Sequence, residues 1–417
     1  MIETNHRYIQ DKFLLDTNLL YDGIIRMELM AENQPIPIIW DRAIDFNVYD
    51  NNGNKWIDMT SGIFVANAGH ANPFIIKAIK KRLDNQLLYA YNYATEIKSK
   101  FVKKLLDISP DYLTKTILLN TGSESVSASY KIIKQWARRN NKRYIVTFKG
   151  SYHGQHLTNH LLCGDKERAS WSGVEDDDIV FIDFPYDNDV TFEKKDLPPH
   201  DKIAAFFLET FQGWGAWLYP DSYIKDLFHF SRKIGALVCF DDMQGGAFRL
   251  GTPYGFQTYG KEIEPDLVCV GKGFTSSLPL SAVVLRDGIV EREDNIDIHG
   301  THSGNPICCA ASLANINFLS TQSFLSELKR KIEIFGDLNK KLGKFDVVEK
   351  INVRGLISGI IFEDEKTATR IVKKCILNGV LPVLTQRNSI KLAPPLTITS
   401  DAIRESMEVI NEVIEME

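Results

Sequence analysis

The sequence predicts an α/β protein built on one mostly parallel sheet of seven strands. Seven short apolar runs follow one another after residue 115, and helical patterns separate most of them, as in repeated β-α-β units. Two of the runs, 236–241 and 267–271, lack the alternation of a half-exposed strand and are typical of strands buried on both faces. In open sheets of this kind, the ligand-binding residues lie at the carboxyl ends of the strands.

Each expected element follows from a local pattern. The sheet strands are expected at 116–120, 143–148, 179–184, 203–209, 236–241, 267–271 and 281–285, with helices such as 124–139 and 222–234 between them. A turn cluster at 50–54 between two β-rich runs indicates a hairpin, and helical patterns cover 73–85 and 95–108. After residue 305 a helical stretch reaches 342, followed by short strands at 356–362 and 389–392 and helices at 367–378 and 400–416.

These elements indicate a large domain over 71–305 and a smaller α+β domain assembled from both chain ends. Residues 1–70 are expected to supply an N-terminal arm and part of the small domain, and 306–417 the rest. No linker, low-complexity segment or internal repeat marks the limits more sharply.

The composition is that of a soluble globular protein. Of 417 residues, 44% are apolar and 25% charged, and the net charge of -5 gives no support for a nucleic acid or a membrane surface as partner. No apolar run approaches the ~20 residues of a membrane span, and the N-terminus lacks the pattern of a signal peptide. The six cysteines form no Cys-x-x-Cys pair, so we expect reduced core residues in a cytoplasmic protein and no metal site.

Two strand ends carry an acid and an amine that we expect at the same edge of the sheet. Asp241 ends one apolar run, and Lys272 follows the other between two glycines. A buried lysine is costly unless it is neutralised, paired or used covalently. A lysine that forms a Schiff base, facing an aspartate that keeps a ring nitrogen protonated, describes a pyridoxal phosphate site. Taken alone, the same pattern also fits a helix cap and a solvated turn.

Glycine and hydroxyl residues form a candidate phosphate cradle after the first strand. Gly122 allows a tight turn and Ser123 brings a hydroxyl to the first turn of a helix, whose free N–H groups favour an anion. A plain serine cap is the alternative. A second glycine-rich loop, 299–306, also precedes a helix, and its Thr301 could add a hydroxyl to a phosphate.

Four further side chains lie near predicted strand ends. Tyr152 and His153 follow the second strand, where an aromatic ring can stack on a flat cofactor, although spacing does not decide which ring stacks. Glu209 ends an apolar strand, where an unpaired carboxylate would be expensive, so it is expected to pair within the site or cap a helix. Gln244, three residues past Asp241, could reach a ring hydroxyl.

Taken together, the motifs resemble the class III aminotransferases, a subgroup of the fold type I pyridoxal-phosphate enzymes. Each motif is common, but the ordered set is specific, and it covers the chain from about 37 to 399. The motifs that carry the resemblance lie at 50–58, 61–63, 69–70, 122–124, 152–154, 209–213, 241–251, 271–273, 304–306, 354–356 and 392–396.

The resemblance implies a role for each matching residue. Lys272 is expected to form the internal aldimine, and Asp241 to bind the pyridine nitrogen. Gln244 is expected near the ring oxygen, and Gly122 and Ser123 at the phosphate. An aminotransferase of this type moves an amino group from an amine or amino-acid donor to a carbonyl acceptor.

The other roles that the resemblance implies concern the face of the cofactor ring and a second subunit. Tyr152 is expected to stack on the ring, with His153 beside it in the cofactor site, and Glu209 to lie near the ring oxygen and the substrate entrance. Thr301 is expected to reach the phosphate of the neighbouring subunit's cofactor. The resemblance therefore implies a homodimer with active sites at the interface.

Two departures from the family pattern bear on the substrate. Gln155 stands where members acting on acylated amino-acid chains often have Arg, and Lys391 stands where amino-acid-using members often have a carboxylate-clamping Arg. Lysine can pair with a carboxylate, but not as a planar two-pronged fork, and Arg387 lies close by in sequence. An amine, an ω-amino acid or an amino sugar therefore remains open as donor or acceptor.

Other functions are compatible with parts of the pattern. An aminomutase, a racemase or a phospho-lyase would share Lys272 and Asp241, so the motifs do not separate these reactions from transamination. A non-catalytic regulator on the same fold would not need both residues. A P-loop nucleotide binder around Lys272 is excluded because the required upstream glycine is missing and Thr275 does not follow the lysine directly.

Overall fold

The computed structural model describes residues 6–9, 38–187, 189–291, 297–385 and 387–417. Contacts within this part of the chain define two units. The small unit contains the described residues up to Asn72, the segment Trp214–Ala216, and the chain from Gln322 onward. The large unit contains Pro73–Gly213 and Trp217–Thr321.

The strands of the described residues are β1 (Arg42–Ile44), β2 (Asn47–Tyr49), β3 (Lys55–Asp58), β4 (Lys115–Leu119), β5 (Tyr144–Phe148), β6 (Ile179–Ile182), β7 (Ile203–Glu209), β8 (Leu237–Asp241), β9 (Leu267–Val270), β10 (Ser281–Leu285), β11 (Val348–Arg354), β12 (Ile357–Phe362), β13 (Val380–Leu381), β14 (Val383–Leu384) and β15 (Ser389–Leu392). The helices longer than one turn are α1 (Pro73–Asp84), α2 (Glu96–Asp107), α3 (Gly122–Arg139), α4 (Leu157–Leu162), α5 (Lys166–Ala169), α6 (Asp221–Ile234), α7 (Pro306–Leu319), α8 (Gln322–Lys341), α9 (Glu365–Leu377) and α10 (Ser400–Glu415). The seven predicted strands of the main sheet all form, with bounds within two residues of the predicted ones.

The large unit is organised around the predicted seven-stranded sheet, in the order β4-β10-β9-β8-β7-β5-β6. Strand β10 runs antiparallel to β4 and β9, and the other pairings are parallel. Every residue of β7, β8 and β9 is buried, as their apolar sequences predict. The mostly parallel α/β sheet is thus confirmed, and its single reversed strand is a detail that the apolar pattern did not contain.

Strand register aligns the polar ends of the three central strands. Glu209 pairs with Asp241 across β7 and β8, and Asp241 pairs with Cys269 across β8 and β9. Lys272 comes three residues after Cys269, just beyond the end of β9. Because the three strands are parallel, the carboxyl groups of Glu209 and Asp241 and the amine of Lys272 reach the same edge of the sheet.

Helix α3 covers one face of that sheet and begins at the same edge. Its first turn is fixed by a capping box, in which Thr121 accepts from the Glu124 amide and Glu124 accepts from the Thr121 amide. Its apolar face, including Ile132 and Ile133, is fully buried in the core beside the central strands. The helix start is therefore anchored both locally and by burial of the face behind it.

The small unit contains two four-stranded sheets, β1-β2-β3-β13 and β11-β12-β15-β14. The first joins the predicted N-terminal hairpin to β13 from the C-terminal part, through parallel pairing of Ile57 with Val380. The sequence did not predict β11, because its charged and polar residues leave it mostly half-buried and hide the strand pattern. Long-range pairing, which a local pattern does not contain, makes β11 and β13 strands.

A left-handed turn in the small unit contains the Ser61-Gly62-Ile63 motif. Ser61, Ile63 and Phe64 all have positive φ angles between 50° and 69°, an arrangement that costs about 1–2 kcal/mol for each non-glycine residue. Local bonds offset this cost: the Ser61 hydroxyl donates to the Ala393 carbonyl at 2.6 Å, and the preceding Thr60 hydroxyl donates to Asp58 at 2.6 Å.

Helix α7 and the N-terminus bear on the predicted domain limits. Helix α7 belongs to the large unit and packs against α1 and α2, whereas the sequence assigned its residues to the C-terminal domain. Most of the predicted N-terminal arm lies outside the described residues; within them, Tyr8 pairs with Lys55 next to the hairpin. The domain limits themselves stay a prediction.

The six cysteines lie in the core, as the sequence predicts. All six cysteines are buried free thiols. Burial raises the pKa of Cys163 to about 11 and that of Cys375 to about 12, so these thiols are held in the unreactive protonated form. Within the described ranges, no helix is both long and apolar enough to span a membrane.

Candidate active site

A cleft of about 660 Å³ opens at the carboxyl edge of the large unit's sheet. Eight residues singled out from the sequence line this one cleft: Gly122, Ser123, Tyr152, His153, Glu209, Asp241, Gln244 and Lys272. They come from the ends of β4, β5, β7, β8 and β9, which are far apart in sequence.

Lys272 occupies an unusual backbone position just beyond β9. Its φ angle is +42°, a left-handed conformation that non-glycine residues seldom adopt and that is typical of functional sites. Burial lowers the pKa of Lys272, and the nearby carboxylates of Asp241 and Glu209 oppose this effect. A lysine with a lowered pKa has a larger fraction of neutral amine, which is the nucleophilic form.

Asp241 is held by two donors at the end of β8. Its Oδ2 atom lies 2.8 Å from His153 Nδ1, and its Oδ1 atom accepts a hydrogen bond of 3.2 Å from the Met243 amide. His153 Nε2 is buried and has no partner among the described residues, so the ring proton is assigned to Nδ1, which donates to Asp241. The side chains of both residues are almost wholly shielded from solvent.

The contacts of His153 separate its role from that of Tyr152, which the spacing alone left open. The His153 ring packs edge-on against Phe207, with ring centroids 4.9 Å apart, and is directed at Asp241. Tyr152 lines the cleft and is 37% exposed. Tyr152 is therefore the ring available for stacking, and His153 supports the carboxylate behind it.

Glu209 is a second buried carboxyl group in the cleft. Its two oxygens accept hydrogen bonds of 3.0 Å from the amides of Tyr152 and Gly213. Burial, together with repulsion from Asp241, raises the pKa of Glu209 to about 7, against the attraction of His153. A carboxyl group of this kind can change its protonation state near neutral pH.

The start of α3 forms a cradle that small residues keep open. The capping box uses the amides of Asn120, Thr121 and Glu124, so the remaining first-turn amides are those of Gly122 and Ser123. Gly154 faces them with a φ angle of +114°, and a Cβ atom there would overlap the Ser123 hydroxyl. The positive end of a helix beside open backbone fits a phosphate group.

Met243 and Asp242 are features of the site that the sequence reading did not assign. Met243 lines the cleft, and its Sδ atom would lie 2.9 Å from a Cβ atom placed on either Gly122 or Gly271. In the sequence, the only indication that Met243 belongs to the site is its position two residues after Asp241. Asp242 is buried, accepts from the Thr210 hydroxyl and from the Gly255 amide at 2.8 Å, and burial raises its pKa to about 7.

Four predicted site residues do not line the cleft. Gln155 is exposed and bonded to its neighbours, and Thr301 is exposed on the loop before α7. Lys391 lies in the small unit on β15, is buried, and has its ammonium group 4.4 Å from the centroid of the Phe64 ring. Arg387, also in the small unit, lies 4.8 Å from the Trp214 ring. The substrate roles of Gln155, Lys391 and Arg387 and the cofactor role of Thr301 stay predictions.

The class of protein follows from the chemistry that the sheet brings to one edge. A lysine amine of lowered pKa, a carboxylate on the neighbouring strand and a helix start open to phosphate fit the α/β enzymes that use pyridoxal phosphate. Residues 29–414 match the profile of the family Aminotransferase class-III. The chain belongs to the class III aminotransferases, and it is therefore a pyridoxal-phosphate-dependent transaminase.

Individual relatives and solved structures agree with this membership. An acetylornithine aminotransferase from Caldanaerobacter subterraneus is 27% identical over 93% of this chain and 97% of its own length. A [LysW]-aminoadipate semialdehyde/glutamate semialdehyde transaminase from Sulfurisphaera tokodaii is 30% identical over 75% of this chain and 79% of its own length. A transaminase structure from the marine bacterium Virgibacillus superposes with a TM-score of 0.83 at 25% identity, covering 91% of this chain and 93% of its own.

A structure with slightly lower sequence identity supports the similarity of the fold alone. It is the adenosylmethionine-8-amino-7-oxononanoate aminotransferase from Methanocaldococcus jannaschii, with a TM-score of 0.86 at 24% identity. The match covers 96% of this chain and 99% of that one. The same architecture thus persists across transaminases with different named substrates.

The raised pKa of Glu209 predicts a pH-dependent contribution to stability. The folded state holds the proton to about pH 7, whereas the ordinary pKa of glutamate is 4.5. The stabilisation is therefore fully present below the unfolded pKa and is lost as the pH rises through the folded one. Glu209→Gln is expected to reduce the fall in unfolding free energy of the cofactor-free protein between about pH 5 and 7 by about 2 kcal/mol.

Urea unfolding at a series of pH values measures this effect. Asp242 has a pKa raised in the same direction, so part of the slope is expected to remain in Glu209→Gln. Glu333→Gln, at an exposed position, is the matched control and should follow the unsubstituted protein. Equal slopes for Glu209→Gln and the unsubstituted protein would show that Glu209 ionises normally in the fold.

Proposed function

We propose that Lys272 and Asp241 perform the transamination chemistry of this protein. The observation that carries the proposal is their placement beyond adjacent strands, where both line one cleft. Pyridoxal phosphate supplies an aldehyde that exchanges amines and a ring that withdraws electrons when its nitrogen is protonated. The open cradle at Gly122, Ser123 and Gly154 supports the fit of the phosphate group.

Each residue has a distinct task in this proposal. The neutral amine of Lys272 would hold the aldehyde carbon of the cofactor covalently, and a donor amine would release Lys272 by taking its place. Lys272 then takes the proton from the substrate carbon that bears the amino group and delivers it on the cofactor side. Asp241, which accepts a hydrogen bond from His153 Nδ1–H at 2.8 Å, holds the proton on the ring nitrogen.

The remaining residues of the cleft orient the ring and the substrate. Tyr152 stacks on one ring face, and Met243 is placed to contact the cofactor as well, because both line the cleft. Gln244 hydrogen-bonds the ring oxygen, and Glu209 lies beside it at the substrate entrance. With a pKa near 7, Glu209 is available to exchange a proton with an incoming ammonium group.

The transferred amino group is that of a primary amine at the end of a chain or on a ring. Two observations support this substrate class. The relatives include acetylornithine and ornithine aminotransferases, whose names specify substrates with a terminal amine. Lys391 stands where, by the family resemblance, amino-acid-using members often have an arginine that clamps the α-carboxylate, and a lysine does not form the same planar fork.

The protein works as a homodimer in the cytoplasm, with Thr301 of each protomer at the cofactor phosphate of the other. Exposed apolar side chains on the large unit support a second copy as partner, notably Phe74 at 59% exposure, Leu88 at 54% and Tyr93 at 77%. The loop that carries Thr301 belongs to the same region, because Tyr91 bonds to His299 at 3.2 Å.

Replacing the lysine tests the chemical assignment. Lys272→Ala is expected to lose turnover by several orders of magnitude and to lose the visible absorption of covalently held cofactor, because no other amine takes its place. Lys261→Ala, at an exposed position, is the matched control and should keep both. Retention of turnover and absorption in Lys272→Ala would refute the proposal.

A spectral titration identifies the donor class. The cofactor-loaded protein is titrated with terminal amines, ω-amino acids, amino sugars and α-amino acids, and terminal amines are expected to bleach the visible band at lower concentrations than α-amino acids do. An aminomutase, racemase or phospho-lyase would return to its starting spectrum with isomerised or eliminated product. Stable bleaching by α-amino acids alone would contradict the proposed substrate class.

Complementation between protomers tests the shared active site. Thr301→Glu places a negative charge at the proposed phosphate contact, so this variant and Lys272→Ala are each expected to be inactive. In a heterodimer of the two, one site carries both defects and the other carries neither. Tagged, purified heterodimers should recover about half of the unsubstituted activity; no recovery, or full activity of Thr301→Glu alone, would rule out the shared site.

A further inference from the structure

Four side chains in the large unit form a hydrogen-bond chain that ends on the Tyr152 hydroxyl. Trp171 Nε1 donates to His160 Nδ1 at 3.0 Å, and His160 Nε2 lies 3.0 Å from Gln155 Oε1. Gln155 Nε2 in turn donates to the Tyr152 hydroxyl oxygen at 3.1 Å. The chain connects the short segment after α5 to the edge of the cleft.

The chemistry of the end groups fixes the direction of every bond. An indole nitrogen only donates, so His160 Nδ1 accepts and the ring proton lies on Nε2. That proton goes to the Gln155 carbonyl oxygen, which leaves the Gln155 amide group to donate to Tyr152. Because the Tyr152 oxygen accepts from Gln155, its own O–H group is free to point elsewhere.

The backbone around the chain is anchored on both sides. The Tyr152 amide donates to Glu209 at 3.0 Å, and the Gln155 amide donates to the Ser123 hydroxyl at 3.3 Å. Asn159, on α4 beside His160, donates to the Ser123 carbonyl at 3.2 Å. The four linked side chains therefore extend from backbone that is tied to the walls of the cleft.

The hydrogen-bond chain also gives a physical reason for a glutamine at position 155. Both polar atoms of the Gln155 amide are used within the chain, one by His160 and one by Tyr152. An arginine has no acceptor, so it could not receive the His160 proton and the directed series would be interrupted. Gln155 is thus placed to orient Tyr152 and is not a replacement anion site.

We propose that Gln155, His160 and Trp171 are positioning residues that hold the Tyr152 hydroxyl as a hydrogen-bond donor to an oxygen atom of the substrate. The inference rests on the proposed function, because it requires the amine to enter the cleft that Tyr152 lines. It narrows the substrate class to primary amines that carry a hydroxyl, carbonyl or carboxylate oxygen. Gln155 therefore acts on specificity through Tyr152 and does not touch the substrate.

Three amines of equal chain length test the oxygen contact. Pentylamine has no oxygen, whereas 5-aminopentan-1-ol and 5-aminopentanoate carry a neutral and a charged oxygen group. In titrations of the cofactor-loaded protein, Tyr152→Phe is expected to raise the apparent Kd of an oxygen-bearing amine about three- to tenfold, as for loss of one hydrogen bond. The Kd of pentylamine should change less than that of either oxygen-bearing amine, because the substitution keeps the aromatic ring and removes only the hydroxyl group. An equal loss for all three amines would overturn the proposal.

A double-mutant cycle separates positioning from a general structural role. Gln155→Leu is expected to reproduce the effect of Tyr152→Phe in the unsubstituted background and to add nothing in the Tyr152→Phe background. Trp171→Phe, which removes the N–H donor and keeps an aromatic ring, should show a smaller effect in the same direction. Gln322→Leu, at an exposed position on α8, is the matched control. Additive losses for Gln155→Leu and Tyr152→Phe would refute the positioning role.

Histidine NMR on the cofactor-free protein gives a readout independent of activity. The His160 ring, assigned with His160→Gln, is expected to be the Nε2–H tautomer, with the Nε2 shift changed in Gln155→Leu and the Nδ1 shift changed in Trp171→Phe. A predominant Nδ1–H tautomer would refute the hydrogen-bond chain, whatever the turnover of Lys272→Ala. Conversely, full turnover of Lys272→Ala would remove the proposed function and leave the tautomer result standing, so the two failures are distinguishable.

Discussion

Burial of ionisable groups at one edge of the seven-stranded sheet is the constraint on which the site depends. Parallel register brings Glu209, Asp241 and Lys272 to the ends of neighbouring strands, where little water solvates them. Each charge is costly there unless a partner compensates for the lost solvation. His153 and backbone amides bind the two carboxylates, and the lysine responds with a lowered pKa. The reactivity of the amine and the rigidity of the acid thus have the same physical origin.

Backbone geometry creates the space that this chemistry requires. Gly122 and Gly154 lack side chains where a Cβ atom would contact Met243 or Ser123, and Lys272 adopts a left-handed conformation just past its strand. Such conformations persist only where the surrounding structure determines them, and here the fully buried strands β8 and β9 do so. Buried strands thus flank the open volume of the cleft.

Family membership and the individual features of this chain answer different questions. The profile match over residues 29–414 establishes the transaminase family and its cofactor, and similar folds occur in transaminases with different named substrates. Further polar contacts of this chain lie around the residues that line the cleft. Gln155 stands within a directed hydrogen-bond chain, and Asp242 is bonded to Thr210 and Gly255. Substrate choice is therefore expected to depend on these surroundings more than on the lysine and aspartate.

The sequence by itself determined the central sheet and the residues at its strand ends. Apolar runs without alternation are incompatible with exposure, and a lysine between glycines after such a run has few ordinary uses. Tertiary structure alone decided which groups meet across distance: that β13 joins the N-terminal hairpin, that α7 packs in the large unit, and that His153 is directed at Asp241. The reason is physical, because local patterns report how each residue prefers to be solvated, whereas pairings between distant segments depend on how the whole chain excludes water.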